Sequence, residues 1–417
     1  MGPTLIFDKS FLQSLSIDES CWLDNFYLSN ITPLFYIETL ADLSKTSKDS
    51  KKSEDVVSLL AHKTPSMGAY PNLHHRTILL QDLIGNHTPM DGRTVVSGGQ
   101  TRISRDGKVG QYYDEFPESE ALNRWQNNEF STIESEFAKR WRIALSTLDF
   151  DQKIGLIKNI VPAGKTFKSL EEIKSFIDIF IKEINEYMLD LLLEVLDIPT
   201  IYSNGIKQLW ISKGRPSLSE FAPYATFVFK VDLFFYLSVH YNLISKDRPS
   251  NKIDFAYLYY LPFCNVFVSN DKKTHHKVAK MFMEHGQSYI AGDDLKADLK
   301  KIDEYYDKLP EETKIKGIMS FAIYPPEGLE GITTKLWDKY LPIWRKQREE
   351  KKIVKTRDTK QDKKIIDEIN NREKESTPVS SEKSHLENAD YVIFKRSIIP
   401  RKGKWRIVSP EVENKHR

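Results

Sequence analysis

Two short apolar segments of the sequence each end in an aspartate. The segment TLIF, residues 4–7, precedes Asp8, and the segment NVFVSN, residues 265–270, precedes Asp271. Runs of this length and composition predict buried strands. In open α/β sheets the ligand site lies beyond the carboxyl ends of the strands. If the two strands are neighbours in a parallel sheet, we expect both carboxylates to reach the same site.

Two further acids stand in positions where a carboxylate is costly unless something pairs with it. Glu38 lies among apolar neighbours on a helix opened by Thr32 and Pro33, which are typical of an N-cap and a first helical position. Asp254 begins the short helix that leads into the strand before Asp271. Asp232, on an otherwise apolar helix, is either a further, weaker ligand or the buried partner of an Arg or Lys.

Several carboxylates brought together raise one another's pKa, and a divalent cation relieves the repulsion. Oxygen ligands favour Mg²⁺ or Mn²⁺ over zinc. Such ions can activate water and stabilise the oxygens of an in-line phosphoryl displacement. A zinc site is not expected, because the chain has only Cys21 and Cys264 and no HExxH motif.

These motifs, in this order, resemble those of the PIN-domain nucleases. The strand ending at Asp8 comes first, the segment ITPLFYIETLADL places the family's glutamate at Glu38, and IDFAYLYYLPFCNVFVSND supplies Asp254 and Asp271, with Ser269 at the family's Thr/Ser position. The resemblance covers roughly residues 4–45 and 221–292. It implies an α/β fold with a three-layer, parallel-sheet core, and metal ligation by Asp8, Glu38, Asp254 and Asp271.

The implied activity is that of a Mg²⁺- or Mn²⁺-dependent endoribonuclease, with RNA favoured over DNA as the partner. Two alternatives stay open: a PIN-like module that binds or regulates without cutting, and a flap-type DNA nuclease. Substrate contacts are expected from residues at or beside the third motif, from a basic loop and from the basic C-terminus. They are Ser269, Asn270, His275, Arg93, Arg102, Arg105, Lys402 and Arg406.

The elements that must position these residues are interrupted by a long insertion. Residues 169–196 predict one long helix with a capping box, and residues 221–244 predict a buried helix. A hairpin is expected across residues 105–108, and a strand over residues 318–324. Near the C-terminus, residues 391–394 are expected to pair with residues 405–408.

Charge is distributed unevenly along the 417 residues. Residues 1–344 hold 40 Lys and Arg against 46 Asp and Glu, whereas residues 345–417 hold 21 against 13. A basic tail on an acidic body can tether the protein to phosphates.

We expect a cytoplasmic protein without a membrane segment, with a protein partner or a homo-oligomer left open. The predicted divisions are a core in two parts (1–61 and 216–344), an insertion (62–215), a charged linker (345–387) and a basic C-terminal segment (388–417).

Overall fold

The structure is a computed structural model that describes residues 2–44, 52–147, 149–183, 185–272, 275–353, 375–379 and 389–415. Of the predicted charged linker, residues 354–374 and 380–387 therefore lie outside the described residues. Among the described helices, none has the length and apolar composition needed to cross a bilayer.

Strands and helices alternate through the first 83 residues, and helices dominate the middle of the chain. The strands are β1 (Thr4–Phe7), β2 (Leu28–Ile31), β3 (Ala69–Pro71), β4 (Gln100–Ile103), β5 (Val109–Tyr113), β6 (Val266–Ser269), β7 (Ser288–Ala291), β8 (Thr377–Pro378), β9 (Tyr391–Phe394), β10 (Arg401–Lys402) and β11 (Trp405–Arg406). The helices of the first half are α1 (Lys9–Ser14), α2 (Ile17–Phe26), α3 (Pro33–Ala41), α4 (Ser53–Lys63), α5 (His75–Leu83), α6 (Pro117–Gln126), α7 (Thr132–Ser146), α8 (Asp151–Ile157), α9 (Leu170–Phe180), α10 (Glu186–Val195) and α11 (Thr200–Ser212).

The second half adds ten helices among the described residues. They are α12 (Leu218–Phe221), α13 (Pro223–His240), α14 (Asn251–Tyr257), α15 (His275–Phe282), α16 (Gly292–Asp307), α17 (Glu311–Lys314), α18 (Ile318–Phe321), α19 (Ile332–Tyr340), α20 (Trp344–Ile353) and α21 (Pro410–Lys415). Short 3₁₀ helices span Asp42–Ser44, Lys158–Ile160 and Leu258–Phe263.

A five-stranded parallel sheet in the order β3-β2-β1-β6-β7 forms the centre of the fold. β1 pairs on one side with β2 and on the other with β6, where Phe7 stands opposite Val268. Alternate side chains of β1 enter two different apolar cores: Ile6 joins one with α13, and Leu5 and Phe7 join the other with α2 and α16. The predicted α/β class is thus confirmed, with apolar layers on both faces of a parallel sheet.

The predicted division between core and insertion is wrong at its start. β3, which lies within the range 62–215, pairs in parallel with β2 and forms an edge of the central sheet. The predicted hairpin is confirmed as β4 and β5, which belong to a second sheet in the order β8-β4-β5-β9.

Candidate metal-binding cleft at the carboxyl edge of the sheet

Asp8 and Asp271 follow the carboxyl ends of the neighbouring strands β1 and β6, as predicted. Asp8 is 5% exposed and caps α1, because its Oδ1 accepts a hydrogen bond of 2.8 Å from the Phe11 N–H. Its Oδ2 accepts bonds from the hydroxyls of Ser10 (2.9 Å) and Ser269 (2.5 Å). A carboxylate has about four lone-pair positions, so one on Oδ1 is left by these three bonds.

Glu38 and Asp254 come from helices that meet above this edge of the sheet. α3 places Glu38 where the Tyr257 hydroxyl donates a 2.5 Å hydrogen bond to its Oε2. Tyr257 is the last residue of α14, which also contains Asp254. The ammonium of Lys9 supports the same corner by donating to the Glu38 carbonyl and to the Asp42 carboxylate, each at 2.9 Å. The local geometry of α3 therefore depends on side chains from α1 and α14.

All four predicted carboxylates line one cleft, which we call the acidic cleft. Its volume is about 540 Å³. Its walls are formed by α1, the start of α9, the loop between α13 and α14, and α14 itself. The lining residues are Asp8, Lys9, Ser10, Gln13, Glu38, Leu170, Leu243, Ile244, Ser245, Arg248, Asn251, Asp254, Tyr257, Asp271 and Val278.

A buried network around Ser269 fixes the floor of the acidic cleft. The single hydroxyl hydrogen of Ser269 is donated to Asp8, so its oxygen must accept from the Nδ1–H of His275 (2.7 Å) and from the Asp271 N–H (2.9 Å). The Nε2 of His275 lies 2.7 Å from the backbone carbonyl of Asp254, which can only accept. Both ring nitrogens of His275 therefore donate, and the network requires an imidazolium.

The pKa shifts of His275 and Asp8 agree with a protonated His275 ring held among carboxylates. Burial lowers the pKa of His275, but the neighbouring carboxylates of Asp8 and Asp254 outweigh it and raise the pKa to about 9. Burial raises the pKa of Asp8, yet the His275 ring, with its Nδ1 3.6 Å from Asp8 Oδ2, and the bonds from Ser269 and Phe11 leave it lowered. One buried positive charge thus keeps Asp8 ionised.

Asp254 and Glu38 remain short of compensating positive charge. Burial raises the pKa of Asp254 to about 6, and repulsion from Asp271, Glu38 and Asp8 adds to the effect. Burial also raises the pKa of Glu38, although Lys9 and the Tyr257 hydroxyl oppose it. Carboxylates in this condition gain from a divalent cation.

Ligand atoms of Asp254, Asp271 and His275 lie within 4.8 Å of one another, which is compatible with a metal site. The His275 ring cannot serve as a ligand in the network described above, because an imidazolium has no free lone pair. We therefore assign His275 to positioning Asp8 and α14. Asp254 and Asp271 are the closest potential ligands, and Asp8 and Glu38 lie outside this tight group while facing the same cleft.

Asp232, the weaker predicted ligand, is not in the acidic cleft. Its Oδ1 accepts from the Lys252 ammonium at 2.6 Å and from the Tyr259 hydroxyl, so its charge is already paired. The reading of this residue as a buried ion-pair partner is correct. Lys252 lies on the first turn of α14, two residues before Asp254, so α14 has a cation on one side and a carboxylate on the other.

The predicted substrate contacts divide into residues beside the acidic cleft and residues away from it. Ser269 and His275 are buried and hold the acids, so they do not face a substrate. Asn270 is partly exposed, and its amide nitrogen lies 3.5 Å from the Ser10 carbonyl. Arg93 pairs with Asp91, and the adjacent Gly92 packs on Asn265 at the opposite, amino end of β6.

The other four basic residues do not line the acidic cleft either. Arg102 on β4 donates to the Ser376 carbonyl at 3.0 Å, and Arg105 is exposed in the turn that follows. Arg406 pairs with Glu413 at 3.1 Å. The prediction is wrong for Lys402, because this side chain is buried at 4% exposure and donates to the carbonyls of Lys63 and Thr64.

Among the lining residues of the acidic cleft that the sequence did not predict are Lys9, Tyr257 and Arg248. Lys9 had a local signal, because it follows the strand-end aspartate directly. Tyr257 lies on the short helix that carries Asp254, three positions further on, and so on the same side of it. Arg248 had no signal beyond its charge, since it lies in a loop without a motif.

Comparison with protein-family models finds no match, and comparisons with curated proteins and with solved structures find no significant match.

Proposed function

We propose that this protein is a nuclease with a PIN-like core that depends on Mg²⁺ or Mn²⁺ and hydrolyses phosphodiester bonds, with RNA as its substrate class. One observation carries the proposal: four carboxylates, two just after β1 and β6 and two on α3 and α14, line a single cleft at the carboxyl edge of a parallel sheet. RNA as the substrate class follows from the resemblance of the motifs to PIN-domain ribonucleases.

The residues of the acidic cleft fit a hard divalent cation. Its potential ligands are carboxylate oxygens, which suit Mg²⁺ and Mn²⁺. The raised pKa of Asp254 and of Glu38 indicates that the cluster lacks compensating charge. Asp254 and Asp271 would hold the ion, with Asp8 and Glu38 contributing from the same cleft. A bound ion supplies Lewis-acid stabilisation of phosphate oxygens and activation of water.

The protein's own contribution is to hold the carboxylates in place and ionised. His275 and Ser269 keep Asp8 deprotonated and oriented. Tyr257 fixes the Glu38 carboxylate, and Lys9 ties α1 to α3 beside it. These contacts come from four elements, so the cleft is preorganised before an ion or a substrate enters.

The first test is Asp271→Asn, which keeps the side-chain size and removes one anionic ligand. We expect it to abolish Mn²⁺-dependent cleavage of labelled RNA, lowering the rate at least 100-fold. Wild-type protein should gain several degrees of melting temperature with Mn²⁺, because the ion binds only the folded state. The variant should lose most of that gain.

Asp294→Asn, on the exposed first turn of α16, is the matched control and should behave like the wild type. Retained cleavage in Asp271→Asn would reject the assignment. A wild-type protein that binds Mn²⁺ but cuts no RNA or DNA substrate would instead favour the non-cutting, PIN-like binding module.

A further inference from the structure

Arg248 is the arginine that lines the acidic cleft. Within the part of the chain that the structure describes, no carboxylate pairs with its guanidinium, and the side chain is exposed. Most basic side chains near it have such partners: Lys246, two residues earlier, binds Asp151 at 2.6 Å. A cation left available at the mouth of a cleft lined by acids is suited to an anionic ligand that enters there.

The loop that carries Arg248 is held in place at several points. Asn242, with φ of 57°, ends α13 in a left-handed conformation, and the Leu243 N–H donates to the Ser238 carbonyl. Further along, the Asn251 amide donates to the Ser245 carbonyl at 3.1 Å, tying the loop to α14. Arg248 is therefore presented on a fixed turn that leads directly into the helix bearing Asp254.

An apolar wall also lines the acidic cleft that Arg248 lines. Leu243 and Ile244 of the same loop, and Leu170 at the start of α9, line the acidic cleft and are only partly buried. Apolar side chains beside a charged floor suit a ligand with a flat apolar face and an anionic backbone. Nucleotides have both, and a base can reach such a wall only when it is unpaired and unstacked.

We propose that Arg248 binds the phosphate next to the scissile one, and that Leu170, Leu243 and Ile244 receive the unpaired base of the same nucleotide. This proposal rests on the proposed function for the position of the scissile phosphate. It makes the acidic cleft a site for single-stranded nucleic acid, with the insertion supplying one wall. The cleft volume of about 540 Å³ falls in the ~300–1,000 Å³ range of small-ligand sites.

The test measures binding separately from cleavage. The probe is a fluorescein-labelled, eight-nucleotide single-stranded RNA, and anisotropy is recorded in Ca²⁺ over a series of salt concentrations, with a gel to confirm intact RNA. Arg248→Gln should weaken binding about tenfold, as expected for one charge-assisted contact. It should also reduce the salt slope by about 0.7, the value for one phosphate contact to a single strand.

Lys246→Gln is the matched control, because it removes the same charge from the same loop at a side chain that points to Asp151. It should change neither affinity nor salt slope. Arg248→Lys should recover part of the loss, and an abasic version of the RNA should bind the wild type more weakly while remaining sensitive to Arg248→Gln.

Equal binding by Arg248→Gln and wild type, an equal loss in Lys246→Gln, or no binding by the wild type would each overturn the proposal. A binding effect at Arg248 without metal-dependent cleavage by the wild type would leave this site standing and reject the nuclease. If the wild type cleaves RNA, and Arg248→Gln changes neither the affinity for RNA nor the KM, the nuclease stands and the Arg248 site is rejected.

Discussion

At the scale of single residues, Ser269 shows how a small buried side chain organises the acidic cleft. Its hydroxyl donates once and accepts twice, so it has no unused hydrogen-bonding capacity. Replacing it by Ala removes one hydrogen bond each from the Asp8 carboxylate, the His275 ring and the Asp271 N–H. Buried groups that lose their partners are costly, and charged ones more so.

Ser269→Ala should therefore lower the free energy of unfolding by about 1–3 kcal/mol and weaken Mn²⁺ binding. Ser238 on α13 is the matched control, because it is also fully buried but its hydroxyl has no hydrogen-bond partner among the described residues. Ser238→Ala should change stability by less than about 0.5 kcal/mol. Chemical denaturation of both variants decides the point, and equal losses would contradict the role given to Ser269.

The acids of the acidic cleft could be predicted from sequence because each has a local signature. Asp8 and Asp271 follow apolar strands, and Glu38 follows a recognisable helix start. Asp232 had an equally local signature, a charge on an apolar helix, which cannot distinguish a ligand from an ion-pair partner. The role of His275 depends on Asp8, 267 positions away, and no local pattern carries that information.

At the scale of elements, the junction of α6 and α7 shows one carboxylate serving two helices. Glu134 forms a capping box with Ser131, accepts from Arg124 at 2.8 Å and accepts from the Trp125 indole at 3.0 Å. Although burial raises its pKa, the bonds from Arg124, Ser131 and Trp125 lower it from the ordinary glutamate value of 4.5 to about 2. Two helices therefore depend on the ionised form of one side chain.

A pKa lowered in the folded state stabilises the fold above the unfolded-state pKa, and that contribution is lost as the pH falls toward the folded-state value. We expect Glu134→Gln to lower the free energy of unfolding by about 1–2 kcal/mol at pH 7, allowing for solvent screening. The difference from wild type should narrow between about pH 5 and pH 2. Glu136→Gln, at an exposed pair with Lys139 on the same helix, should be nearly neutral.

Urea unfolding at a series of pH values measures the effect. A difference between wild type and Glu134→Gln that stays constant down to pH 3 would show that ionisation of Glu134 does not stabilise the junction.

Several elements differ from the sequence prediction for reasons that can be traced. The predicted helix over residues 169–196 is two helices, because the Asn185 side chain accepts from the Met188 N–H and starts α10 afresh. Residues 318–324, predicted as a strand, begin with the short helix α18 after Gly317, which has φ of 83°. An asparagine cap and a left-handed glycine are local signals that outweigh hydrophobic periodicity.

At the scale of the whole molecule, the C-terminal segment, residues 389–415, is part of the folded protein rather than a free basic tail. Trp405 is 2% exposed, and its ring centroid lies 4.7 Å from that of Trp22. The indoles of both residues donate to the same carboxylate oxygen of Asp303. The buried Lys402 lies 3.8 Å from Asp24, beside the carbonyls at the end of α4.

Trp405→Ala should therefore destabilise the entire protein, by about 3–5 kcal/mol for a large buried aromatic residue. Ile398→Ala in the same segment is the control, since Ile398 is 50% exposed and should cost less than about 0.5 kcal/mol. The measurement is the loss of unfolding free energy in guanidinium chloride. A Trp405→Ala protein as stable as Ile398→Ala would mean that this segment is dispensable for the fold.

The arrangement of the C-terminal segment could not be predicted because its partners are distant in sequence. Residues 391–394 form β9, which pairs with β5 about 280 positions earlier rather than with residues 405–408. β11 pairs instead with β10, two residues away across Gly403. The composition indicated a basic tail, but burial of Lys402 and Trp405 depends on surfaces of α2 and α16 that only the folded chain provides.

The pairing of Phe7 with Val268 has a consequence for synthesis of the chain. A ribosome makes β1 first, but its neighbour β6 emerges only after some 260 further residues. Until then the central strand has one open side, and Asp8 has neither Ser269 nor Asp271 beside it. A growing polypeptide therefore completes the acidic cleft only late in elongation, after β6 and Asp271 have been made.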